Sequence, residues 1–118
     1  MSTDPQPECE LLEMAAKAFG YVLQWKPSAL SHDRLVPKVY DGDGWMTIWN
    51  PLEDDSDALQ LAVKLHMTVR CYQGTTCAQI GVPGQTNAYE QVADLVDPLA
   101  GTRLAIVRAA AVVGRAMP

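Results

Sequence analysis

Apolar residues recur at helical spacing in three stretches of this chain and at strand spacing in shorter stretches between them. The first helical stretch runs from about Pro7 to Phe19. Leu11, Leu12, Met14, Ala15, Ala18 and Phe19 form its packing face, and Glu10, Glu13 and Lys17 its polar face. Glu13 and Lys17 are at i,i+4 spacing and predict a surface ion pair. Asp4 or Thr3 is the candidate cap, prolines are tolerated in the first turn, and Gly20 is the stop. Residues 1–6 are expected to be disordered.

The second stretch is written most plainly. Trp49-Asn50-Pro51-Leu52 leads into Glu53, Asp54, Asp55 and Asp57, acids favoured by the positive end of a helix dipole, with Asn50 or one of the Asp and Ser residues as cap. Only Asp57, Gln60 and Lys64 recur as a polar stripe, while Ala58, Leu59, Leu61, Ala62, Val63 and Leu65 wrap the remainder. This predicts a core helix covered on more than one side. The third helix is capped by Asp97, takes Pro98 in its first turn and runs to about Arg115. Leu99, Ile106, Val113 and Met117 align with Ala109 and Ala110 as a core stripe, opposite Arg108 and Arg115. Leu104 and Val112 fall beside the arginines, so a second packed layer or a subunit contact is expected there.

Between these helices, Tyr21 to Trp25 has strand composition and ends at Pro27, and a loop follows from Ser28 to Arg34. Leu35–Tyr40 and Trp45–Trp49 flank Asp41-Gly42-Asp43-Gly44, a hairpin turn sequence, and Pro37 is expected to place the first of these strands at a sheet edge. A second hairpin follows the central helix. Val69 and Cys71 share one face, as do Ala78, Ile80 and Val82, which pairs 71 with 78 and 69 with 80. Gly74-Thr75 is then a type II′ loop, and Cys71 and Cys77 lie on opposite faces with no disulfide between them. After the turn-rich stretch Pro83–Asn87, Ala88–Val96 fits either a short strand or a loop.

These elements predict one α+β domain over residues 1–118, a mostly antiparallel sheet flanked by three helices. With 48% hydrophobic residues, 118 residues bury a core without staples. Nine Lys and Arg against a net charge of -5 argue against a phosphate-tracking protein, so no nucleic acid partner is expected. No run approaches the roughly 18 apolar residues of a membrane span, and Met1–Glu10 lacks the pattern of an export signal. Three cysteines, Cys9, Cys71 and Cys77, are expected to be free thiols in a reducing cytoplasm.

Candidate chemistry is sparse. The acids Glu53, Asp54, Asp55 and Asp57 could hold a hard cation, but helix-start physics explains them, and Asp41–Gly44 lacks the remaining ligands of a calcium loop. His32 and His66 have no partner at zinc-site spacing, and His66 meets the negative end of the central helix dipole. Cys71, on the apolar strand face, reads as inert, and Cys9 and Cys77 have no base near them in sequence. Neither a phosphate loop nor a nucleophile elbow is present. Trp25, Trp45 and Trp49 are three tryptophans in a chain with 7% aromatics. Trp45 and Trp49 read first as packing beneath a helix and second as pocket walls or partner anchors.

Trp49-Asn50-Pro51-Leu52, then Asp54-Asp55-x-Asp57-Ala58-Leu59-x-Leu61-Ala62-Val63-Lys64-Leu65, then Asp97-Pro98 with Arg103-x-Ala105-Ile106-Val107-Arg108-Ala109-Ala110, resemble the "ABA sandwich" family of small tailed-phage and prophage proteins. Glu10–Ala18 fits as well, so the resemblance covers nearly the whole chain, with Ser56 where members commonly carry Gly. It implies an α/β/α sandwich of phage or prophage origin and carries over no activity, cofactor or catalytic residue. The expected function is that of an accessory protein in the bacterial host cytoplasm, acting by binding a protein or its own copy rather than by catalysis. The first alternative is a small-ligand binder for a nucleotide-like molecule, with Trp45 or Trp49 as wall and Arg70 or Arg34 as charge. The second is an acidic inhibitor of a basic host protein. A homodimer contact is expected at Leu104, Arg108 and Val112.

Overall fold

The computed structural model describes residues 7–27, 35–40, 46–80, 88–93 and 96–117. Along the chain come α1 (Pro7–Phe19), β1 (Gln24–Pro27), β2 (Leu35–Tyr40), β3 (Met46–Ile48), α2 (Asp55–Lys64), β4 (Thr68–Tyr72), β5 (Thr75–Ile80), β6 (Ala88–Ala93) and α3 (Pro98–Ala116). This is the α+β class, with every strand pairing antiparallel. The strands form two three-stranded sheets, β1-β2-β3 and β4-β5-β6, where a single sheet was expected. The region of residues 1–6, the loop from Ser28 to Arg34, the turn Asp41–Gly44 and the stretch Pro83–Asn87 lie outside the described residues.

The last helix is the centre of the fold. It packs against α1, α2, β5 and β6, and Gly101, Ala105, Ile106, Val107, Ala109, Ala110, Ala111 and Gly114 are all buried. Burial of the consecutive runs 105–107 and 109–111 surrounds most of its circumference, which a one-sided stripe does not anticipate. Leu99, placed in that stripe, is exposed, as is Met117. Leu99 instead lines a cleft beside Tyr72 and Val92, and Met117 lies beyond the last helical residue, Ala116, with its carbonyl taken by Lys17. Leu104 and Val112 are half-buried against the core, so of the predicted dimer strip only Arg108 stands exposed.

At Gly114 the backbones of α3 and α1 touch. An added methyl would be driven into the Met14 carbonyl. Around this crossing, Arg115 pairs with Glu10 at 3.3 Å and Lys17 donates to the Met117 carbonyl at 3.0 Å. Glu13 accepts from the Trp25 indole N–H at 3.0 Å. The predicted Glu13–Lys17 pair therefore does not form, because each side chain reaches another element instead. Gly20, at φ +103°, ends α1 by sending its own amide to Lys17 and that of Tyr21 to Ala16.

Asp54 caps α2 by accepting from the Asp57 amide at 2.9 Å. Residues 51–53 form a preceding turn held by Asn50, whose side chain accepts from the Leu52 amide. Only Ala58, Leu61 and Ala62 are buried; Leu59 and Val63 are 64% and 66% exposed. The helix is thus covered on one side and not several, because α3 is the element it packs against. His66, at φ 56°, closes α2 in the left-handed position where glycine is usual, with its amide on Val63 and that of Met67 on Ala62.

Two strand expectations change. β2 is the middle strand of its sheet, so Pro37 is not at an edge. Its carbonyl accepts from the Trp49 amide at 3.0 Å, and proline has no N–H to return the bond. The ladder to β3 stops there. In the second hairpin Val69 pairs with Ala78 and Cys71 with Thr76, leaving Gln73-Gly74 as the loop. The register differs by two residues from the alternation argument, which cannot detect such a slip because it preserves the faces. Gly74 takes φ 79° in the second turn position, where a II′ turn needs glycine first.

Two substitutions test this frame. Helix propensity alone favours Gly114→Ala by about 1 kcal/mol. The clash with α1 costs about 1–3 kcal/mol or more, so denaturant unfolding should show a net loss. His66→Gly should gain about 1 kcal/mol by removing a Cβ from the left-handed region. A loss there would mean that the imidazole makes a stabilising contact of its own.

Candidate functional site

Antiparallel sheets place alternate residues on opposite faces. In β4-β5-β6, Thr76 and Ala78 face α3, as the 2.9 Å contact between Thr76 Oγ1 and Thr102 Oγ1 requires. Pairing then assigns Arg70, Tyr72, Cys77, Gln79, Tyr89 and Gln91 to the outward face. Tyr72 and Tyr89 are 59% and 54% exposed, and Arg70 and Gln91 are exposed between them. No acidic residue lies on this face among the described residues.

At its middle sits Cys77, buried. The Tyr89 hydroxyl donates to Cys77 Sγ at 3.3 Å and to Gln91 Oε1 at 3.5 Å. The bond to Cys77 favours the protonated phenol and pushes the Tyr89 pKa up, while the Arg70 charge acts the other way. Cys71 and Cys77 are both free thiols. Cys71, expected to be inert on an apolar face, is exposed, because α3 covers β5 and β6 and leaves the inner side of β4 open. Cys77 is buried on the other face of the middle strand, with the Tyr89 hydroxyl against its sulfur.

That uncovered side borders a cleft of about 230 Å³, lined by Cys71, Tyr72, Thr75, Thr76, Val92, Pro98, Leu99, Gly101 and Thr102. Its floor is apolar apart from threonines, and two of those are bonded: Thr102 Oγ1 donates to the Pro98 carbonyl and meets Thr76. Such a cleft suits a single apolar side chain better than a charged metabolite.

Trp49 is elsewhere. It is 4% exposed, with ring centroids 6.1 Å from Phe19 and 5.7 Å from Tyr21, and Lys64 Nζ lies 5.9 Å from the Phe19 centroid. It packs, as its place before a capped helix suggests. Its buried indole Nε1 has no hydrogen-bond partner. Trp49 belongs to the aromatic cluster and Arg70 to the outward face of the second sheet, while Trp45 and Arg34 lie outside the described residues. Tyr72 and Tyr89 escape sequence reasoning, since they join Arg70 only once the register and β6 are known.

Of the acids at the start of α2, Asp54, Asp55 and Asp57 are each engaged, and Glu53 is exposed. Asp54 is the cap. Asp55 takes the Arg103 guanidinium at 2.6 Å, and Arg103 Nε also donates to the Leu52 carbonyl at 2.8 Å. Asp57 accepts from the Asn50 amide at 2.9 Å. Among the described residues no three His, Cys, Asp or Glu side chains gather as a metal site, and no helix is long and apolar enough to cross a membrane.

No family model matches this chain, and no curated protein or solved structure does either.

Burial pushes the Asp57 carboxyl above its ordinary value; the Asn50 amide opposes the shift and the Asp54 charge adds to it. With the folded pKa above the unfolded one, the contribution of Asp57 is fully present below the unfolded value and is lost as pH rises through the folded value. Asp57→Asn should therefore gain stability relative to the parent chain as pH climbs through the carboxylate range. Denaturant unfolding at a series of pH values measures this; a difference that does not vary with pH would contradict it.

Proposed function

We propose that this chain is a binding protein without catalytic activity, and that it uses the outward face of β4-β5-β6 to hold a protein partner. The observation that carries the reading is the grouping of Arg70, Tyr72 and Tyr89, exposed on one face of an antiparallel sheet. Tyrosine and arginine are the residue types that dominate binding energy at protein interfaces, because they offer large rigid area with a polar end. A partner with carboxylates beside apolar groups complements a face that carries Arg70 and no acid among the described residues.

A phage or prophage accessory role in the cytoplasm of a bacterial host is the setting we propose. It is supported by the motifs at 49–65 and 97–110, which touch one another through Arg103, Asp55 and Leu52. The nucleotide-binding alternative is weaker. Its tryptophan wall at Trp49 is buried among other rings. The described cleft, at about 230 Å³, is also smaller than the roughly 300–1,000 Å³ of ordinary ligand pockets.

The test is comparative capture. The parent chain and a Tyr89→Ala, Gln91→Ala double variant, immobilised in equal amounts, are exposed to host lysate and the retained proteins quantified by mass spectrometry. A protein held by the parent and reduced at least about tenfold on the variant is expected, the loss of one interface anchor. Equal retention of every protein by both would exclude this face.

A further inference from the structure

We infer that β4 is a dimerisation edge, at which two copies of this chain pair antiparallel about a two-fold axis through Cys71. This goes beyond the preceding reading: it shares Arg70 and Tyr72 with the proposed partner face but concerns pairing at the edge of the sheet, which association of the isolated chain reads without any other protein.

Among the described residues the outer strands are β1, β3, β4 and β6. Unpaired strand edges invite pairing, and proteins blunt them with Lys, Pro, shortness or inward-pointing charge. β1 ends in Lys26-Pro27. β3 has only three residues. β6 turns Glu90 to the packed side, half-buried and opposite Ala78. β4, Thr68-Val69-Arg70-Cys71-Tyr72, has no Lys, no Pro and no inward-pointing charge, carries a single charged side chain, Arg70, on its outward face, and keeps an unbroken ladder to β5.

Its geometry suits a partner strand. The Gln73-Gly74 turn closes with Tyr72 and Thr75 as a hydrogen-bonded pair, so Thr68, Arg70 and Tyr72 spend their backbone groups on β5. Val69 and Cys71 then point theirs outward. Beneath them the inner side of the strand is open, with Cys71 exposed and Val69 half-buried.

Charge selects the register and the occupant. An axis at Arg70 would set two guanidinium groups directly opposite each other, which is destabilising. An axis at Cys71 sets Arg70 against the partner's Tyr72, and Tyr72 against the partner's Arg70, as cation–π pairs on the outward face. The two Cys71 side chains meet on the inner side, and each Cys71 amide gains the other's carbonyl as acceptor. Val69 falls opposite the first residue of the partner's turn, whose carbonyl is the acceptor open to its amide. The edge is complementary to itself. The product is one continuous sheet carrying two copies of the Tyr89 face.

Sedimentation velocity of the whole chain up to about 1 mM should show a monomer–dimer equilibrium. Val69→Pro removes an outward N–H without touching the β5 ladder and should leave a folded monomer. Arg70→Glu should weaken association about tenfold through loss of both cation–π pairs. Amide exchange at Val69 and Cys71, followed by NMR, should slow as concentration rises. If Val69→Pro fails to fold, Arg70→Glu and the exchange data decide. A monomer throughout the range overturns the inference, as does a dimer indifferent to Arg70→Glu with unprotected Val69 and Cys71. Protection appearing only on addition of another protein overturns the second copy as the occupant.

Discussion

The backbone of α3 passes that of α1 at Gly114 and Met14 with no room for a methyl group, and much of the structure follows from that approach. Close passage of two helices requires small residues where they touch, and α3 supplies them along its length, with Gly101, Ala105, Ala109, Ala110, Ala111 and Gly114 all buried. A helix so thin can be packed against on several sides at once, by α1, α2 and the second sheet. Side-chain bulk comes from the surrounding elements instead: Leu12, Leu61, Ile80 and Trp49 are all buried. Cover is finite, however. It reaches β5 and β6 and stops short of β4, which is why one strand presents both an open edge and an open underside.

Arg103 is the second point on which the arrangement turns. Its guanidinium holds the Asp55 carboxylate and its Nε holds the Leu52 carbonyl, so the entry to α2 is bound directly to α3. Asp54 and Asp57 complete that entry from within, one as cap and one by taking the Asn50 amide. Three of the four acids that in sequence resemble a ligand set, Asp54, Asp55 and Asp57, are spent on fixing the direction of a helix. Burial of Asp57 shows that this fixing has a cost in the charged form.

What was legible in the sequence was what is decided locally. Gly20 ends α1 where it stands, and Asp97 with Pro98 starts α3, because caps and stops depend on a few neighbouring residues. The α+β class followed from the same periodicities. Properties set by distant neighbours were not legible. The Leu59–Val63 side of α2 could be assigned to a second layer only on the assumption that apolar means covered, and no layer lies there. The hairpin register escaped because a two-residue slip keeps every side chain on its face. Of the candidate face only Arg70 was named, as the charge of a tryptophan-walled pocket, while Tyr72 and Tyr89, far apart in sequence, meet it only through two strand pairings.

Chain order gives the central helix a consequence for folding. α1 is held to the end of α3 by contacts separated by 100 and 105 residues, Lys17 to Met117 and Glu10 to Arg115. During synthesis, α1, α2 and the second sheet therefore emerge before the helix they pack around exists. Local turns and hairpins can form early, but the shared core cannot close until α3 has left the ribosome, and closure of so long a loop slows the final step. Until then Leu12, Leu61 and Ile80 lack their α3 partners, which leaves apolar surface open to chaperones or to misassociation.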